Sequence, residues 1–183
     1  GDSETVPCFP SSYARSMYSI DGAIWKWGGM AVPSKAGSFG GYAGLRNVIV
    51  YVTTGVFTFH GQRHFRQQEE YNRWKLLALL VGFVQDEPDR AGLAAIADRK
   101  LADPAAATED LERGLGEQGR AVMALVRNRS EESVDPLIER LSPAARGALA
   151  RLSPLAAVPR LPGRLLIAHG ADDDSIPFTE SLP

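Results

Sequence analysis

Near the end of the chain, three consecutive aspartates, Asp172, Asp173 and Asp174, follow His169-Gly170 and precede Ser175-Ile176-Pro177. Carboxylates so placed can hold the ring N–H of a histidine and stabilise the imidazolium, or they can simply end a strand, because aspartate is a common turn former. Their setting bears on the choice. Leu165 to Ala168 is an apolar run too short for a helix and bounded by Gly163 and Gly170, which reads as a strand buried on both faces. Gly170 can take a positive φ, and Ile176-Pro177 returns the backbone to an extended path. The carboxylates therefore stand just past a strand's carboxyl end, where open α/β sheets place functional groups.

Other reactive residue types are scattered. His60 and His64 have the four-residue spacing of paired helix-borne metal ligands, but no glutamate lies between them and Gly61 weakens a helix there. A surface loop is expected, without metal. Arg63 and Arg66 could hold an anion, although basic residues alternating with polar ones usually form a solvated face. The stretch from Gly37 to Gly44 lacks both the lysine of a nucleotide-binding loop and the dinucleotide fingerprint, so no phosphate cradle or cofactor is implied.

These residues must be positioned by one domain's worth of chain: 183 residues, 44% hydrophobic and 23% charged, enough to bury a sizeable core. The net charge is -2, with basic residues interleaved among acids. No basic stripe is available for a phosphate backbone, so nucleic acid is not an expected partner. The single cysteine, Cys8, cannot form an internal disulfide, and there is neither a secretory signal nor an apolar span of about 20 residues. A cytoplasmic setting without membrane contact is expected, for a chain that starts at Gly1 and reads as an internal piece.

Gly1 to Lys35 shows no sustained period and reads as a poorly ordered leader, with a short strand at Ala23 to Trp27. Leu45 to Phe59 is ambiguous. Its valines, threonines and aromatics favour a strand, whereas Leu45, Val48, Ile49 and Val52 fall at helical spacing. From Gln67 the period is plainly helical through Tyr71, Trp74, Leu77, Ala78, Val81 and Val84. Asp86 to Asp89 reads as a turn, Arg90 to Arg99 as a helix, and Asp103-Pro104 as the start of the next. Helices follow over Glu117 to Arg127, Val134 to Leu141 and Ala144 to Leu152, the last capped by Ser142-Pro143.

His169-Gly170, Asp173 four positions after the histidine, and Ile176-Pro177 together resemble the strand-end loop of α/β-hydrolases that carries the acid of the catalytic triad. Leu152 to Leu155 and Val158 to Gly163 are similar to the approach to that strand. Ser38 to Tyr42, with Leu45 to Val48 and Thr53 to Gly55, resembles the chain after the preceding strand in a bacterial branch of that family. The likeness covers Ser38 to Leu182. It implies an α/β fold, helix-dominated overall: a partial hydrolase core of few parallel strands over 38–183, with a helical cap inserted at about 67–152, after an unassigned leader at 1–37. It also places a helix over Leu45 to Phe59.

In function the resemblance implies a serine-type hydrolase of carboxylic esters or related acyl compounds, with a small-molecule substrate and no cofactor. Asp173 is then the triad acid, while Asp172 and Asp174 are turn residues. The nearest match to the G-x-S-x-G nucleophile elbow is Ala36-Gly37-Ser38-Phe39-Gly40-Gly41, which makes Ser38 the candidate nucleophile. Pro33 and Lys35 interrupt the strand an elbow needs, however, and the likeness puts Phe39 to Tyr42 after a later strand. Family members use the residue at His169 structurally and take their base from a loop after the next strand. The chain as given is thus expected to lack nucleophile and base and to show at most trace esterase activity. The competing class is a non-catalytic helical interaction module, with an exposed apolar groove on its helices and nothing special at Asp173. A third possibility is a truncated or misread gene product.

Overall fold

The computed structural model describes residues 35–39, 41–153 and 164–181. Most of the expected leader, the strand expected at Ala23 to Trp27, and Cys8 lie outside the described residues. Strand β1 (Lys35–Phe39) leads to helix α1 (Leu45–Thr54), whose β-branched residues are reconciled with a helix from within. The Thr53 and Thr54 hydroxyls donate to the Ile49 and Val50 carbonyls at 2.7 Å. Gly55 ends the helix at φ 77°. A Cβ at Gly55 would also lie 2.2 Å from the Arg66 carbonyl oxygen, so both the conformation and the close approach demand glycine.

The chain then folds back as a hairpin, β2 (Val56–Phe59) and β3 (Gln62–Phe65), through His60 and Gly61 at φ 49° and 73°. Positive φ at both central residues gives the turn twist that two-residue hairpins favour. Helices α2 (Glu70–Val81), α3 (Glu87–Ala102), α4 (Glu109–Glu112), α5 (Glu117–Val126), α6 (Val134–Glu139) and α7 (Pro143–Arg151) follow. A 3₁₀ turn at Glu131–Ser133 leads into α6. Caps fix several starts. Asp86 accepts from the Asp89 amide ahead of α3, and Ser142 accepts from the Ala145 amide at 3.2 Å ahead of α7, each with proline in the first turn. Strand β4 (Arg164–Ala168) pairs parallel with β1, Ser38 opposite Ile167 and Phe39 opposite Ala168, and a 3₁₀ turn at Phe178–Ser181 follows.

The described residues are helix-dominated, and their core lies among the helices. Ile49, Leu77, Leu80, Leu93, Ile96, Leu125, Val126 and Val134 are all buried; each such side chain contributes about 1.5–3 kcal/mol by leaving water. Two charges are buried with them. The Arg73 guanidinium donates to the carbonyls of Thr53 (2.8 Å), Val126 and Asn128 (2.9 Å), tying the carboxyl ends of α1 and α5 to α2. Asp89 accepts from the amides of Gly116 and Gly119 (2.7 Å) at the start of α5. Helix ends carry partial charges of the complementary sign, which favours burying Arg73 and Asp89 at these places; Arg73 Nε also lies 3.6 Å from the Glu70 carboxylate.

Several expectations are corrected by this arrangement. The helix expected over Leu45 to Phe59 stops at Thr54, because Gly55 releases the chain into β2. Helix α3 begins at Glu87 rather than Arg90, since Asp86 caps it and Pro88 fits its first turn. Asp103 closes that helix instead of opening another. Strand β4 is not buried throughout: Ile167 is 41% exposed. A hydrolase core is not seen, for the described strands form one parallel pair and one hairpin.

Candidate functional site

The carboxyl end of β4 feeds the loop that carries the aspartates, and the backbone of that loop shapes the site. Asp173 turns its Oδ1 back onto the amides of Ser175 (2.9 Å) and Ile176 (3.0 Å). Two charge-assisted bonds from a rigid backbone fix the carboxylate's orientation. Its other oxygen, Oδ2, faces His169 Nε2 at 3.4 Å, with the aspartate side chain 27% exposed and the imidazole 4%. His169 Nε2 also lies 3.1 Å from the Ile176 carbonyl, and Nδ1 lies 2.5 Å from Ser181 Oγ. Ser181 in turn reaches the Gly41 carbonyl at 3.2 Å.

A carbonyl and a carboxylate accept hydrogen bonds and do not donate them, so Nε2 carries a ring hydrogen; the roles at Nδ1 depend on whether Ser181 gives its one hydroxyl hydrogen to the ring or to the Gly41 carbonyl. The usual hydrolase relay holds the acid at Nδ1 and the hydroxyl at Nε2; here the ring is reversed.

The loop is held down by the hairpin and helices. Arg66, just past β3, donates to the carbonyls of Asp173 (3.1 Å) and Ala171 (3.3 Å), and the Tyr51 hydroxyl of α1 donates to Asp173 O at 3.3 Å. Asn72 of α2 donates to Asp174 O (3.0 Å) and accepts from Ser175 Oγ (3.1 Å). Glu180 closes the far side: it accepts from the Gly44 amide and from the Asn47 side-chain amide, both at 2.9 Å, at the start of α1. Phe178 packs on the hairpin, 5.2 Å from the Phe59 ring and 6.3 Å from Phe57. Beside this turn lies an open cleft of about 230 Å³, with Val50, Val56, Phe57 and Pro177 as apolar wall and Arg46, Glu131 and Glu180 as charged rim.

The sequence-derived candidates distribute unevenly over this geometry. Asp173 stands in the loop with the His169 imidazole beside it. Asp172 and Asp174 take no part in the contacts to His169; Asp174 Oδ1 accepts from Ser175 Oγ at 3.1 Å. Ser38 lies within β1, paired in register with Ile167, so its backbone is extended and not a strand-to-helix elbow. Pro33 precedes that strand, which begins at Lys35. His60 sits at the hairpin turn and His64 on β3, stacked on Phe57 at 5.4 Å. Among the described residues no cluster of three or more metal-ligating side chains occurs, and no helix is long and apolar enough to cross a membrane.

Ser181, Tyr51 and Asn72 escaped the sequence reading, and Arg66, read there as a possible anion contact, donates to loop carbonyls instead. The Ser-Ile-Pro exit after Asp173 marks where the chain turns, but nothing in one dimension announces that a serine twelve residues beyond His169 meets its ring. No protein-family model, no curated protein and no solved structure matches the chain.

Proposed function

We propose that this chain belongs to a serine-type hydrolase of carboxylic esters or related acyl compounds, in which Asp173 is the acid that positions the catalytic imidazole and the helices α2 to α7 are the cap. The observation that carries the reading is the Asp173 carboxylate, fixed through Oδ1 by two backbone amides while Oδ2 faces His169 Nε2 at 3.4 Å. A carboxylate held in this way keeps an imidazole in one tautomer and stabilises the cation formed when the ring takes a proton. The loop's anchorage to α1 and α2 supports a rigid site under the helical insert. The interaction-module reading fares less well. It calls for an apolar groove on the helices, yet among the described residues the exposed large apolar side chains are Phe65, Tyr71 and Ile167, and only Tyr71 is helical.

The test is the initial rate of hydrolysis of short p-nitrophenyl esters by the full chain and by Asp173→Asn, both checked for native circular dichroism. A trace rate above buffer and no more is expected of the chain as given, and Asp173→Asn should abolish it, because losing the acid leaves the imidazole without its tautomer and counter-charge. Equal rates for the two proteins, including no rate with either, would sink the proposal.

A further inference from the structure

The residues that line the cleft beside the last turn include neither Asp173 nor His169, so it is a feature apart from the aspartate loop. We infer that this cleft binds a small organic cation: an ammonium group carried on a short apolar or aromatic body. The inference goes beyond the hydrolase reading and does not depend on it.

Size and apolar contact come first. The cleft holds about 230 Å³, below the ~300 Å³ at which drug-sized pockets begin, so its occupant has few heavy atoms. Val50 of α1, Val56 and Phe57 of β2, and Pro177 ahead of the last turn give such a body its apolar wall.

The polar part of the wall is rich in acceptors and short of donors. Arg46 gives Nε and Nη2 to the two oxygens of Asp135, both at 2.7 Å. Arg63 of β3 gives Nε to Glu131 Oε2 at 2.9 Å. Both guanidiniums are thus committed to carboxylates. The carboxylates are not used up in return, because an ionised carboxylate accepts at about four positions. Glu131 spends one on Arg63, and Glu180 spends two, on the Gly44 amide and the Asn47 side chain. Glu131, Glu180 and Asp135 set against Arg46 and Arg63 leave negative charge in excess. The Arg46 guanidinium is held above its ordinary range chiefly by the hydrogen bond to Asp135, with the Glu131 charge adding to it, so that charge is felt across the cleft. An entering anion meets these carboxylates, whereas an ammonium group brings three donors and the missing positive charge.

The wall is also held ready. Glu180 is fixed at the first turn of α1, and the Phe57 ring packs edge-on to Tyr51 at 5.7 Å and stacks on His64 at 5.4 Å, so little ordering is left for a ligand to bring about. Exposure limits the affinity. The Glu131 side chain is 34% exposed and that of Arg46 50%, and solvent screens the attraction. A dissociation constant of about 1 mM is expected for a ligand of so few atoms.

The experiment is titration of the isotope-labelled full chain with benzylammonium chloride at low salt, read by two-dimensional amide NMR spectra, with benzyl alcohol and benzoate as neutral and anionic controls of the same size. Saturable shifts are expected at Val50, Phe57, Thr58, Glu131 and Thr179, at least ~10-fold weaker binding of benzyl alcohol, and no saturable shift with benzoate. Glu131→Gln should weaken benzylammonium binding at least ~5-fold, the loss of one charge-assisted contact partly screened by solvent, while Glu139→Gln, away from the cleft, leaves it unchanged. Should Glu131→Gln lose its native circular dichroism, Thr58→Lys carries the question: a tethered ammonium at this exposed position of the wall is expected to abolish binding. No saturable shift up to about 10 mM ligand, shifts centred elsewhere, equal affinity for benzyl alcohol, tighter binding of benzoate, or undiminished binding in Glu131→Gln or Thr58→Lys overturns the inference. The ester assay has no bearing on any of these outcomes.

Discussion

Two aspartates in this molecule each accept a pair of backbone amides, and they do different things. Asp89, in the helical body, is 1% exposed and spends one oxygen on Gly116 and the other on Gly119. Asp173, at the sheet's rim, spends a single oxygen on both Ser175 and Ile176 and leaves the second turned to an imidazole. The first carboxylate has both oxygens engaged by backbone amides and acts as a staple. The second is oriented and still unsaturated, the state a group needs if it is to act on another. The regions around them differ in the same sense: apolar packing and neutralised helix ends hold the body, while polar clamps from Tyr51, Arg66 and Asn72 hold the loop.

The comparison is broken most severely at the staple. Asp89→Ala is expected to lower unfolding free energy by about 3–5 kcal/mol, the usual cost of opening a buried charged network, measured as a shift in the urea midpoint. Arg73→Leu is its mirror image, orphaning carbonyls at two helix ends, and should cost about 3 kcal/mol by the same assay. Gly119→Ala tests the closeness of fit, since a Cβ there would lie 2.8 Å from Asp89 Oδ1 and 2.9 Å from Leu115 Cδ2. A loss of about 1–3 kcal/mol is expected, as for overpacking elsewhere. If Asp173→Asn costs as much stability as Asp89→Ala, the distinction between staple and oriented acid fails. The expected cost is about 1 kcal/mol, since an amide oxygen can still accept from Ser175 and Ile176.

The smallest effect belongs to the surface. Arg46 forms a bidentate pair with Asp135, both contacts at 2.7 Å, and this hydrogen bond holds the Asp135 carboxyl below its ordinary range. A depressed folded pKa contributes stability above the unfolded value of about 4 and loses it as pH falls through the folded value. With Asp135 61% exposed, solvent screening limits the effect to about 0.5 kcal/mol. Wild type and Asp135→Asn should therefore differ slightly in urea midpoint at pH 6 and converge at pH 2. A difference that persists at pH 2 contradicts the pairing.

Helix α2, the cap at Ser142, and the strand ahead of the aspartates were written in local patterns: a three- and four-residue apolar period, a side-chain oxygen before a proline, a short apolar run between glycines. Asp173 was legible for the same reason, because a carboxylate placed by its immediate neighbours needs little else to be found. The hairpin was not, since Val56 to Phe65 reads as strand only once Gly55 is known to end the helix, and His60 gives little sign of a positive φ. Arg73 and Asp89 look like surface charges in their helices; burial became affordable only when ends of other helices arrived beside them.

What the sequence determined by itself was periodicity, chain reversal and the place of one carboxylate, all set by interactions within a few residues. Which imidazole meets that carboxylate, which hydroxyl meets the imidazole, and which charges go inside were decided only in three dimensions. Those contacts join segments up to 140 residues apart, as Ser181 to Gly41 does, and depend on how helices pack rather than on any local preference.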